Sequence, residues 1–157
     1  MTFYFDGGCR PNPGPMEAAV VIGGAAYLRD GLGIGDNNQA EWLALLLAAE
    51  LAAAAGATDV LFVGDSTLVV EQARGRWRCR SPQLQPYVTA FAAMVAAIPK
   101  VRLKQVPRSK NLAGIALARR WDGARYSEKK LGNRFNSSPI SLSEMLNSNP
   151  SSSPLRR

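Results

Sequence analysis

Apolar and polar positions along the chain fall into two periods, one that suits strands and one that suits helices. Residues 2–6 alternate like a strand and run into Gly7-Gly8 and the turn-rich Pro11-Asn12-Pro13-Gly14-Pro15. Residues 16–23 and 25–32 predict two more strands, broken at Gly23-Gly24, which completes a three-stranded antiparallel meander. Asp36 and Asn37 offer N-caps for a helix over residues 39–55, closed by Gly56. Its Trp42, Leu45, Leu46 and Ala49 recur at helical spacing and are expected to face a core. Residues 59–64 form a β-rich run between helical segments, as a buried parallel strand does. A short helix over 66–73 stops near Gly75, and an amphipathic helix over 82–97 ends before Pro99. Val101, Leu103 and Gln105 alternate ahead of Pro107 as a fifth strand, and a last helix covers 111–121. The expected order is β-β-β-α-β-α-α-β-α, an α/β domain with a five-stranded mixed sheet and helices on both faces.

Beyond about residue 123 the periodicity stops. Residues 124–157 are rich in Ser and Asn and carry Arg125, Lys129, Lys130, Arg134, Arg156 and Arg157 against Glu128 and Glu144. That composition predicts a domain over residues 1–123 followed by a disordered basic tail. The 157 residues therefore suffice for one domain with a core of its own. No apolar run approaches the roughly 20 residues that span a bilayer, and no basic segment leads into an apolar one as in a signal peptide. Cys9 and Cys79 have neither metal-type spacing nor a partner framework, which suits reduced thiols in a cytoplasmic protein.

Charge and composition narrow the chemistry. A formal charge of +7 points to an anionic partner, with nucleic acid the first candidate. The chain has no histidine, which excludes Ser-His and Cys-His hydrolases, His-ligated zinc and a histidine proton shuttle. Three carboxylates stand where a lone acid has little structural use. Asp6 ends the first apolar run, Asp65 ends the run Val60-Leu61-Phe62-Val63-Gly64, and Glu41 lies in the first turns of the long Ala/Leu helix. Two acids at strand ends and one on a helix suit a hard divalent cation such as Mg²⁺, which prefers oxygen ligands. Taken singly, each also has a simpler role: Asp6 in a turn, Glu41 at the helix dipole, Asp65 as an N-cap.

Four segments, in order, give the chain a specific likeness. They are Phe5-Asp6-Gly7-Gly8 with Asn12-Pro13-Gly14-Pro15; Asn37-Asn38-Gln39-Ala40-Glu41; Gly64-Asp65-Ser66 with Leu68-Val69; and Val106-Pro107-Arg108-Ser109-Lys110-Asn111. Together they resemble the type 1 ribonuclease H family over residues 2–122. The resemblance implies the ribonuclease H-like fold, a monomer, and an endoribonuclease that cuts the RNA strand of RNA–DNA hybrids with Mg²⁺ or Mn²⁺. It implies two-metal-ion phosphodiester hydrolysis leaving 5′-phosphate and 3′-hydroxyl ends, with Asp6 bridging the ions and Glu41 and Asp65 completing their shells. Asn12, Asn37 and Asn38 match residues that contact the hybrid in its minor groove, where 2′-hydroxyls distinguish RNA from DNA. Asp36 stands where the family often has a threonine that helps hold a DNA phosphate, and its charge would repel one.

Arg74-Gly75-Arg76-Trp77-Arg78-Cys79-Arg80 matches a segment that approaches the DNA strand, with Arg76, Trp77 and Arg78 as its contacts. The alternative is a solvated basic loop with Trp77 packed in the core. The family's last motif, Asn-x-x-Ala-Asp-x-Leu-Ala, reads here Asn111-Leu112-Ala113-Gly114-Ile115-Ala116-Leu117-Ala118, so Ile115 matches the fourth catalytic aspartate. Two readings of Asn111 stay open. Its amide oxygen takes the missing ligand site as part of an Asp-Glu-Asp-Asn set, or it only caps the helix. An amide binds a divalent ion more weakly than a carboxylate, which would favour Mn²⁺, and the missing histidine, a proton acceptor in some members, would slow turnover. Ile115 also leaves a second function open, a non-catalytic module that binds hybrid or other nucleic acid on the same fold.

Overall fold

The computed structural model describes residues 1–121; the expected tail over 124–157 lies outside the described residues. Strands β1 (Thr2–Cys9), β2 (Gly14–Ile22) and β3 (Ala25–Arg29) form the antiparallel meander. A two-residue strand, β4 (Ile34–Gly35), follows and pairs with the start of β2. Helix α1 (Asn37–Ala54) leads to β5 (Asp59–Gly64), α2 (Thr67–Ala73) and α3 (Gln85–Val95). Strand β6 (Lys100–Gln105), a 3₁₀ turn (Arg108–Lys110) and α4 (Leu112–Trp121) complete the order. Both β5 and β6 run parallel to β1, so the main sheet reads β3-β2-β1-β5-β6.

The expected α/β architecture and its five principal strands are present, with β4 added off the main path. Two residues carry no alternation, so β4 has no periodic signal to read. The third helix is shorter than residues 82–97, because residues 81–84 form a turn in which Ser81 O accepts from the N–H groups of Leu84 and Gln85. Helix α1 begins earlier than residue 39. Asp36 accepts from Gln39 N–H at 2.8 Å while the Gln39 side chain accepts from Asp36 N–H at 3.0 Å, a reciprocal capping box. The acid that would repel a phosphate thus holds the helix start.

Alternating residues of the central strands face opposite layers. Ala18 and Val20 of β2 face the larger core with Phe3, Phe5 and Phe62, against α1, α2 and α3. Ala19 and Val21 face Ala113, Ala116 and Leu117 of α4. An aromatic chain links the layers of the larger core, with ring centroids 5.7 Å apart for Phe3–Phe62 and Phe62–Phe91 and 6.3 Å for Trp42–Phe91. Trp42 satisfies its one polar atom by donating to buried Gln72 at 3.1 Å. Helix α1 is buried from Ala40 to Ala49, so its place on the sheet is fixed on nearly every side.

One contact sets how closely α1 lies on β1. A methyl group at Gly7 would sit 2.0 Å from the Ala40 carbonyl oxygen and 2.7 Å from the Glu41 nitrogen. Only a residue without Cβ lets the helix backbone approach the strand there, and that approach carries Glu41 to Asp6. Gly7→Ala is expected to destabilise the fold by about 3 kcal/mol and to weaken Mn²⁺ binding, read from urea midpoints and metal titration. Unchanged midpoints would mean that the helix can retreat from the strand freely.

Candidate active site

Asp6 lies on β1 beyond its parallel pairing with β5, whose last pair is Tyr4↔Val63. Two residues further along each strand, Asp6 and Asp65 come level. Glu41, one turn into α1, is brought over them by the Gly7 contact. Each of the three acids offers a carboxylate oxygen within 4.8 Å of the others. Asp6 and Glu41 are buried, 4% and 8% exposed, and Asp65 is half-buried.

The electrostatics of this cluster are dominated by burial and by the acids' closeness to one another. Burial, the largest cause, raises the Asp6 carboxyl to about 6; the Asp65 charge adds to it, while a hydrogen bond with Glu41 and the Arg108 guanidinium oppose it. Burial also pushes Glu41 well above the usual carboxylate range, reinforced by the charge and hydrogen bonding of Asp6. Asp6 Oδ1 and Glu41 Oε2 are buried oxygens with no hydrogen-bond partner. Oxygen donors gathered at this spacing fit a hard divalent ion.

Asn111 is fully buried beside them and settles into a definite orientation. Its Nδ2 donates to Phe5 O at 2.9 Å and to Asp65 Oδ1 at 2.7 Å. Its Oδ1 accepts from Ala113 N–H at 3.2 Å, capping α4. Turning the amide over would set its oxygen against two acceptors, so the hydrogen bonds fix which end faces the carboxylates. In this arrangement Asn111 Oδ1 faces the start of α4, and its N–H faces Asp65. Ile115 follows one turn later and lines the same cleft as Asp6, Glu41 and Gly114. Gly114 leaves room for Asp6, whose Oδ2 lies 3.4 Å from where a Cβ at that position would stand.

Asn12 and Asn37 come together at the mouth of the cleft, although 25 residues apart, because Asn37 N–H donates to Asn12 Oδ1 at 3.2 Å. Cys9 clamps both: its thiol reaches Asn12 Oδ1 at 3.5 Å and Asn37 Oδ1 at 3.4 Å, and its N–H donates to Asn37 Oδ1. Both oxygens are held inward, and no protein acceptor among the described residues takes either side-chain NH₂ group. Asn38 is exposed next to them. In the basic run, Trp77 is 48% exposed between exposed Arg76 and Arg78, so it is not a core residue. Arg74 turns inward instead, pairing with Glu71 at 2.6 Å and donating to Leu103 O.

Arg108 stands in one of the four segments that carry the family likeness, but the sequence reading gives it no role of its own. In the structure it lines the cleft, with Nε 3.7 Å from Asp65 Oδ2. Cys9 is likewise silent in sequence, since nothing local reveals the two asparagines it joins.

A family model described as "Reverse transcriptase-like" matches residues 5–121. "Ribonuclease HI" of Halobacterium salinarum is 37% identical over 120 residues, covering 73% of this chain and 60% of that protein. "Bifunctional protein Rv2228c" of Mycobacterium tuberculosis is 34% identical over 119 residues, 72% of this chain but 33% of its own length. The chain thus spans only a third to three-fifths of these relatives. The crystal structure of RNase H1 from Halobacterium salinarum superposes with a TM-score of 0.69 at 34% identity, covering 78% of this chain and 98% of that one. LC11-RNase H1, solved in complex with RNA/DNA hybrid, superposes with a TM-score of 0.62 at 27% identity, covering 71% and 88%.

Proposed function

The chain belongs to the type 1 ribonuclease H family, and from that premise we propose that it is a metal-dependent endoribonuclease that cuts the RNA strand of RNA–DNA hybrids. The convergence of Asp6, Glu41 and Asp65, with buried oxygens that no protein donor satisfies, carries the reading. These three acids hold Mg²⁺ or Mn²⁺. When bound, the divalent ion lowers the pKa of a water and neutralises charge on the scissile phosphate. The water oxygen adds to phosphorus and gives up a proton to solvent as the bond to the 3′ oxygen breaks, and the 3′ oxygen takes a proton, which leaves 5′-phosphate and 3′-hydroxyl ends. With no histidine in the chain, that proton comes from solvent. Asn111 holds Asp65 in place through its N–H.

Substrate selection falls to the Asn12–Asn37 pair and Asn38, whose amides suit 2′-hydroxyls in the minor groove. Arg76, Trp77 and Arg78 meet the phosphates and sugars of the DNA strand, in keeping with their exposure and the charge of +7. The enzyme acts as a cytoplasmic monomer with both cysteines reduced. No helix among the described residues is long and apolar enough to cross a membrane. Asn12→Ala is expected to raise KM for hybrid by about tenfold, one lost hydrogen bond's worth, with kcat nearly constant. A fall in kcat at constant KM would place Asn12 in the chemical step instead.

Ile115 supports the second reading, a module that binds hybrid without cutting it. Incubation with labelled hybrid in Mg²⁺ and separately in Mn²⁺ decides between them. Internal cuts in the RNA strand bearing 5′-phosphates are expected. Tight binding with intact RNA in both metals would establish the binding module.

A further inference from the structure

The site has Ile115 where the family has its fourth acid, and of the two arginines that line the cleft, Arg10 and Arg108, it is Arg108 that pairs with one of the remaining acids. Removing a carboxylate together with one divalent ion takes away one net positive charge, and a single guanidinium restores it. Resting on the ribonuclease reading above, we infer that this site works with one divalent ion and that Arg108 is its second cation, gripping the scissile phosphate.

The position of Arg108 is fixed while its head is loose, as such a role needs. Val106 N–H donates to Gly64 O at 3.0 Å, and Gln105 Nε2 donates to Asp65 O at 3.3 Å, so the segment is tied to the end of β5 that carries Asp65. Pro107 restricts the backbone ahead of it, and Asn111 N–H closes the 3₁₀ turn on Arg108 O at 3.2 Å. The side chain itself is 83% exposed, and its contact with Asp65 Oδ2, at 3.7 Å, is a loose ion pair. Asp65 is thereby shielded without metal, yet the guanidinium can leave it for a phosphate at little expense. Arginine suits that exchange, because its planar fork takes two phosphate oxygens at once. Ile115 lines the same cleft and has no donor atom for a second ion. Three carboxylates then hold one ion, and Arg108, loosely paired with Asp65 beside them, is placed to take the phosphate.

The test counts ions and then removes the arginine. Mn²⁺ bound to the full chain with a non-cleavable hybrid (RNA strand 2′-O-methylated) is counted by electron paramagnetic resonance. One ion per protein is expected for the wild type and two for Ile115→Asp. Arg108→Ala is expected to lower the single-turnover cleavage rate by the order of 10²-fold while tightening Mn²⁺ binding to the free protein, since a neighbouring positive charge is gone. Arg108→Lys recovers part of the rate. In the Ile115→Asp background, Arg108→Ala is expected to lower the rate less than in the wild type. A wild type that cuts hybrid with two Mn²⁺ bound, or whose rate survives Arg108→Ala, overturns the role of Arg108 and leaves the nuclease intact. A wild type that binds one Mn²⁺ and cuts no hybrid overturns the nuclease and the proposal together.

Discussion

Asp6→Asn is expected to abolish hybrid cleavage and, in the metal-free protein at neutral pH, to raise the melting temperature. The two effects share one cause. Asp6 is held at about 6 in the fold against an ordinary 3.8, so its ionised form is disfavoured by folding. That difference corresponds to roughly 3 kcal/mol. A carboxyl raised in the folded state contributes stability fully below its unfolded value and loses it as pH rises through the folded one. The metal-free wild type should therefore weaken between about pH 4 and pH 6 and stay weakened at neutrality, while Asp6→Asn should weaken less, through buried Glu41 alone. At pH 7.5 the variant should melt roughly 5–10 °C higher, and the gap should close near pH 4. Adding Mg²⁺ should stabilise the wild type and leave the variant unmoved. Cleavage should fall by at least the order of 10³-fold, because a divalent ion supplies several kcal/mol to the transition state. Calorimetry over a pH series and a cleavage assay read both halves. A variant less stable than the wild type at neutral pH would show that Asp6 has a structural partner.

What the sequence made legible and what it did not divide along a physical line. Asp6 and Asp65 stand out because each interrupts an apolar run, and Glu41 because an acid on an Ala/Leu helix has no local purpose. Those signals are local, and so is the alternation that defines β1, β2 and β5. The orientation of Asn111 is not local. Its amide is set by Phe5 and Asp65, 106 and 46 residues away, so no spacing rule could say whether oxygen or nitrogen faces the acids. Gly7 is one half of a Gly-Gly turn in sequence, and only the crossing of α1 gives it a reason to lack a side chain. Trp77 shows the limit from the other side. A tryptophan among arginines suits either a core or a nucleic-acid face, and only the packing decides that it is exposed.

Ile115→Asp is expected to raise cleavage, an unusual direction for a change in an active site. Ile115 lies one turn after Asn111 on α4 and lines the cleft beside Asp6, Glu41 and Gly114. A carboxylate there adds an anionic oxygen donor to three that already converge, so affinity for divalent ions should rise. The gain should be of the order of tenfold or more in rate at low Mg²⁺, about 1.4 kcal/mol, and should shrink as Mg²⁺ approaches saturation. Stability should move the other way without metal. A fourth acid, half-buried at this position, meets Asp6 and Glu41, both already raised chiefly by burial, and like charges at short range oppose ionisation further. The metal-free variant should thus melt lower than the wild type at neutral pH and gain more on adding Mg²⁺. Ile115→Asn separates the two contributions, since an amide offers an oxygen without the charge. It should restore little rate and lose little stability. If Ile115→Asp instead lowers both rate and metal affinity, the position does not face the ion. The apolar wall of the cleft would then be a requirement of packing, and the three acids with Arg108 would be the whole of the charged machinery.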